Sequence, residues 1–192
     1  MLKKLFASGL LLILTASSTQ ALSITKIGQS KLPHPYNLLL TQPLMTQTLE
    51  HYYKRTAIIQ TQSTHFDVAQ NNYSRTITML IDRHKQRNNA AYAQKKGETQ
   101  IIELAFIKIN FNALPKEIIK EIRHSNTPFG KLLEKYHIKT LTQNREYFTT
   151  TCTKEIISLM PCDLNKVLYG RKNTIIRAGN KQWLAKVMEI LP

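Results

Sequence analysis

The stretch Gln100-Ile101-Ile102-Glu103-Leu104-Ala105-Phe106-Ile107-Lys108-Ile109-Asn110-Phe111-Asn112-Ala113-Leu114-Pro115 decides the fold. Apolar residues recur at every second position, the period of a strand with a buried face, and the run stops at a proline. Beyond it Ile118, Ile119 and Ile122 return at helical spacing. Upstream, residues 56–67 and 74–82 alternate and are rich in Ile and Thr, as strands are. Downstream, strands are predicted at 138–149, 166–177 and 182–191, the last two joined by a turn at Ala178-Gly179-Asn180. A helix is predicted from Pro43, with Thr41 or Gln42 near its start and Leu44, Met45, Thr48, Leu49, Tyr52 and Tyr53 on one face. Thr127-Pro128 opens another, Thr capping and Pro at the first helical position, with Leu132, Leu133 and Tyr136 as its apolar side. A short helix is predicted near 153–160. Pro33, Pro35 and Pro43 mark a loop, and the polar, cationic stretch His84–Lys96 reads as an exposed connection. Six strands with hairpin-length or helical links predict an α+β class: a six-stranded antiparallel sheet flanked by helices, in a single domain over 22–192.

The 192 residues are 42% hydrophobic and 8% aromatic, enough to bury a core, which excludes a collagen, a disulfide-stapled miniprotein and a disordered tail. The net charge of +15 attracts anions of any size and names no partner. Lys3 and Lys4 precede an apolar run, Leu5 to Ala16, and then Ser17-Ser18-Thr19-Gln20-Ala21. That layout reads as a secretory signal peptide over residues 1–21, with cleavage after Ala21 or, second, after Ser23. The run is about a dozen residues where a membrane span needs roughly 20, so no stable membrane anchor is expected. The expected location is therefore periplasmic or secreted. Cys152 and Cys162 are equally consistent with a bridge formed in that compartment and with two buried thiols.

Period-2 bookkeeping places four charges among apolar neighbours. Arg75 shares a face with Ile77, Met79 and Ile81, and Glu103 with Ile101, Ala105, Ile107, Ile109 and Phe111. Arg171 falls in with Val167, Tyr169 and Ile175, and Glu189 with Ala185, Val187 and Leu191. Buried charges must be paired or neutralised. Two readings fit: structural salt bridges, or a polar pocket in an apolar wall that holds a small charged ligand, with Arg as the fork that grips a carboxylate. Other chemistry finds little support. The six histidines lack ligand spacing, so no metal is expected, and no nucleophile elbow, Walker loop or dinucleotide fingerprint occurs. The basic cluster Arg83, Lys85, Arg87, Lys95, Lys96 has only Tyr92 among it, and nucleic acid is not expected as a partner.

Four segments resemble, in order, those of bacterial chorismate lyases. They are Leu38-Leu39-Leu40 with Met45-Thr46; Ile102 to Pro115; Asn126-Thr127-Pro128-Phe129-Gly130-Lys131-Leu132-Leu133; and Leu168-Tyr169-Gly170-Arg171-Lys172-Asn173 followed by Val187-Met188-Glu189-Ile190-Leu191-Pro192. The resemblance runs from about residue 36 to the C-terminus, with Phe129 where the family usually has Leu. It implies a six-stranded antiparallel sheet with helices around it, and conversion of chorismate to 4-hydroxybenzoate and pyruvate without metal or cofactor. By the same resemblance Arg75 clamps the ring carboxylate, Glu189 meets the other end of the ring, and backbone amides near Met45 and Phe129 also meet the carboxylate. Arg75 and Glu189 are then the catalytic pair, with Glu103 and Arg171 as possible support. Glu189, in an apolar wall, is expected to have a raised pKa. A monomer binding a small aromatic carboxylate is expected. The alternative is an exported, non-catalytic binder of such ligands: effector domains of some transcription regulators share the fold, and no DNA-binding segment is recognisable here.

Overall fold

The computed structural model describes residues 22–192; the expected signal peptide, 1–21, lies outside them. Seven strands form one sheet: β1 (Ile24–Ile27), β2 (Ile58–Asp67), β3 (Asn72–Asp82), β4 (Thr99–Asn110), β5 (Thr140–Thr151), β6 (Val167–Arg177) and β7 (Trp183–Leu191). Their order is β1-β5-β6-β7-β4-β3-β2, and every neighbouring pair is antiparallel. The class is α+β as expected, but the sheet has seven strands and not six. The extra strand is β1, whose four residues Ile-Thr-Lys-Ile are too short to display an alternation and pair only with the edge of β5.

Six helices pack on this sheet: α1 (Tyr36–Leu39), α2 (Met45–Tyr53), α3 (Ala90–Lys96), α4 (Lys116–His124), α5 (Phe129–Lys135) and α6 (Lys154–Ile157). One face, here called the inner face, is covered at one end by α4 and α5, where Ile118, Ile122, Phe129 and Leu132 meet Ile77, Ile107 and Val187. At its other end α1 and α2 bring Leu39, Leu40, Met45 and Leu49 against Met79, Ile81 and Leu191. Each such Leu or Ile, fully buried, is worth about 1.5–3 kcal/mol. The outer face is covered at one end, where Phe148, Leu168 and Ile190 pack under α6 and a bridge joins Cys152 to Cys162.

Several local expectations are corrected. Helix α2 starts at Met45 with Leu44 before it, two or three residues later than Thr41 or Gln42 would place it. Pro128 is extended and precedes α5 instead of opening it, and Thr127 supplies no cap. The stretch 84–96 is not all exposed connection: Asn89 caps α3 by accepting from the Tyr92 N–H at 3.0 Å, and Ala90 and Ala93 are buried, two small residues that leave little hydrophobic signal. Helix α6 is shorter than expected, ending at Ile157. On β4 the ladder slips beyond Met79↔Glu103, so that Leu80 faces Ile101, and a bulge at Ile102 turns Ile101 to the outer face, away from Glu103.

Candidate functional site

Cross-strand register arranges the inner-face charges in rows. In one row Ile77, Ala105, Glu189 and Arg171 follow one another across β3, β4, β7 and β6. The next row is Arg75, Ile107, Val187 and Asn173. On the other side Met79 faces Glu103. A partly open cavity of about 70 Å³ sits over these rows. Glu103, Arg171, Asn173 and Glu189 line its sheet side, and Pro43–Gln47 with Pro128–Lys131 form its roof. By the measure that a water takes about 30 Å³ of liquid, it holds a few waters.

The roof is built from the starts of α2 and α5. Neither start has a side-chain cap, so their first backbone N–H groups lack that partner. The helices are clasped to each other: Lys131 Nζ lies 2.5 Å from Glu50 Oε1, and the Gln47 amide donates to Glu134 at 3.0 Å. Met45 and Phe129 are thus both in the cavity wall.

Arg171 and Glu189 form a buried ion pair at 2.5 Å, with side chains 2% and 10% exposed. Arg171 also donates to the carbonyls of Leu40, at 3.0 Å, and Gln42, which ties β6 to the segment leading into α2. Glu103 is fully buried beside them. Its carboxyl is pushed well above the ordinary range, first by burial, then by the neighbouring Glu189 carboxylate, against the pull of Arg171 and with a hydrogen bond to Glu189. Two carboxyls facing one guanidinium leave one negative charge too many for a dry site, and a proton on Glu103 removes it. The carboxyl that burial raises here is Glu103, on the strand next to the one that carries Glu189.

Arg75 stands apart from this group. It does not line the cavity; it lies one row further along β3, two residues from Ile77 and opposite Ile107, which both do. Its side chain is buried under α4, where Nη1 donates to the Ile122 carbonyl at 3.3 Å. Nε and Nη2 have no partner, and no carboxylate pairs with the group among the described residues. Burial lowers its pKa to about 10. The Oδ1 of Asn173, at the far end of the same row, is also buried and unpartnered.

The structure therefore brings Met45, Phe129, Glu103, Arg171 and Glu189 around one cavity and leaves Arg75 just beyond its wall. Asn173 is the cavity residue that sequence reading missed. The period-2 signal was present, since it lies two residues from Arg171, but an amide on an apolar face stands out less than a charge.

No family model matches the sequence, and no curated protein matches it. Solved structures match in their backbone. PhnF from Mycobacterium smegmatis superposes with a TM-score of 0.53 at 9% identity, over 79% of this chain and 64% of its own. The likeness is one of fold. The ligand-binding domain of a GntR-family transcriptional regulator from Bordetella bronchiseptica gives 0.48 at 9% identity, over 72% of this chain and 86% of that one. A GntR-family transcriptional regulator from Enterococcus faecalis gives 0.44 at 11% identity, over 69% and 91%.

Proposed function

We propose that the protein takes a small aromatic carboxylate between the sheet and the roof of α2 and α5, and that it is a lyase releasing pyruvate from chorismate or a close analogue. The observation that carries the reading is Arg75. A buried guanidinium with two idle N–H-bearing nitrogens and no counter-ion is destabilised until an anion arrives, and a carboxylate matches its fork. Arg75 and Glu189 stand on β3 and β7, two strand spacings across and one row along, so their backbones lie about 12 Å apart and their side chains can reach opposite ends of a ring.

In the elimination the ring C3–O bond breaks, its electron pair leaves on the enolpyruvyl oxygen, and C4 gives up its proton. The ring becomes aromatic, and the released enol takes a proton to become pyruvate. Little covalent assistance is needed, so positioning and charge placement carry the reaction. Arg75 holds the ring carboxylate. The proton held between Glu103 and Glu189 offers a hydrogen bond, or the proton itself, to the departing oxygen. Arg171 keeps Glu189 in place.

The small cavity favours a second reading, a non-catalytic binder of small aromatic carboxylates, because a ligand of chorismate's size enters only when the α2–α5 clasp opens. The ligand-binding neighbour among the solved structures is compatible with either reading. Incubating the purified protein with chorismate and measuring products separates them. Equal amounts of 4-hydroxybenzoate and pyruvate support the lyase; binding without turnover selects the binder; neither result leaves both without support. Export after Ala21 belongs to the same reading, and an N-terminus near Leu22 on the mature protein is its test.

A further inference from the structure

The outer face of the sheet is only partly covered. Where α6 and the bridged loop end, the outward side chains of β2, β3, β4, β7 and β6 form an open hollow of about 530 Å³. Its floor is Phe106, directly opposite Met188, both half-buried and continuous with the cluster under α6. Two residues along, Lys108 stands directly opposite Lys186. Like charges in that relation repel, with Cβ atoms about 5 Å apart. Lys108 reaches no closer than 3.4 Å to the Gln70 amide oxygen, and Lys186 leans over the Trp183 ring at 5.7 Å. Neither pairs with a carboxylate among the described residues. Lys172, opposite Met188, is bound to Glu146 at 2.8 Å, but that carboxylate is shared with Lys26 at 2.7 Å. No Asp or Glu lines the hollow; hydroxyls of Ser63, Ser74, Thr76 and Thr174 do.

We infer that this hollow is a second binding site, separate from the inner cavity, for a phosphorylated carbohydrate. Each element of the wall answers one part of such a ligand. Two lysines directly opposite each other in the register can both turn to one phosphate, whose double charge removes the repulsion between them. The ring of hydroxyls meets sugar hydroxyls. The Phe106–Met188 floor meets the apolar face of a pyranose or cyclitol ring. The sheet separates this site from Arg75 and Glu189, which project from the opposite face.

The same chemistry is offered by a free sugar phosphate and by a lipid-borne headgroup. Titration calorimetry of the full protein with glucose 6-phosphate and with inorganic phosphate, and sedimentation with vesicles carrying phosphatidylinositol 4-phosphate, distinguishes them. Binding of glucose 6-phosphate is expected to be tighter than that of inorganic phosphate. It should weaken at least tenfold in the double variant Lys108→Gln, Lys186→Gln, and stay unchanged in Lys85→Gln on a distant loop. The double variant should melt no lower than the parent, because a repulsion is removed, and should bind 4-hydroxybenzoate as the parent does. Vesicle binding lost in the double variant, without binding of the free sugar phosphate, assigns the lipid-borne form. Binding of neither probe, equal affinity for inorganic phosphate, or undiminished binding in the double variant overturns the site.

Discussion

Glu103 and Glu189 meet on adjacent strands, carboxyl to carboxyl, one row apart in the register, while the guanidinium of Arg171 is bound to Glu189. Burial and the neighbouring carboxylate favour the protonated form of Glu103, and that has a consequence for stability. Glu103 in the folded protein has a pKa well above that of the unfolded chain, so between the two values the folded state binds more protons. Stability from this group is complete below about pH 4.3 and falls as pH rises toward the folded pKa. Glu103→Gln keeps the shape and removes the titration. Thermal unfolding across pH 4 to 9 should therefore show a smaller loss on the alkaline side, with a higher Tm at pH 8 than the parent. On the acid side both proteins should lose stability alike, because Glu146, held near 2 by Lys172 and Lys26, and Asp82, held down by Arg87, lose their partners as they protonate. An unaltered pH profile would show that Glu103 carries no excess proton.

The apolar-face charge pattern made most of this legible. Period-2 counting put Arg75, Glu103, Arg171 and Glu189 on the inner face, and the strands that carry them lie within a few residues of their expected limits. What could not be read was relational. The charges alone fit a salt bridge or a ligand pocket, and the register sorts the residues: Arg171 pairs with Glu189, while Arg75 is left without a carboxylate. The bulge at Ile102 leaves no trace in the pattern because Ile101 and Ile102 are identical neighbours, so either phase puts an Ile on the inner face there. Strand β1 and helix α3 were missed for a similar reason, since their stability comes from β5 and from β3, not from their own composition.

Arg75→Met is the second variant to make. Replacing an unpaired buried charge by an apolar side chain of similar length removes a desolvation cost, so the ligand-free protein should gain stability, on the order of 1–4 kcal/mol. Binding of 4-hydroxybenzoate should be lost. Arg75→Lys should also lose most affinity, because an ammonium cannot reproduce a two-pronged contact. Calorimetry and melting curves on both variants check this; retained affinity in either would remove Arg75 from the ligand site.

Reduction should be felt on the outer face. The bridge between Cys152 and Cys162 closes a ten-residue separation around α6, which covers Phe148, Leu168 and Ile190. A loop of that size is worth about 2–3 kcal/mol. The double variant Cys152→Ala, Cys162→Ala should unfold at correspondingly lower urea, and proteolysis of the native protein should begin within 153–166. Binding at the inner cavity should persist, since α6 lies on the opposite side of the sheet.

Glu189→Gln separates chemistry from support. The amide oxygen still accepts from the Arg171 Nε, so the loss in stability should be well below the roughly 3–5 kcal/mol of a broken buried pair. What the amide cannot do is share the Glu103 proton as a carboxylate does. If that shared proton reaches the departing oxygen, turnover should fall by about 10²-fold, the low end for general acid catalysis because an amide still donates a hydrogen bond. Affinity for 4-hydroxybenzoate, which lacks the departing group, should change little. Glu103→Gln provides the control: it should lower turnover similarly while raising Tm at pH 8, so the two variants move stability in opposite directions and activity in the same one. A structural carboxyl pair predicts the reverse pattern, with melting shifted and per-molecule activity kept. Full turnover in a folded Glu189→Gln protein would make the carboxyl pair a support for the roof, leaving Arg75 as the group the chemistry depends on.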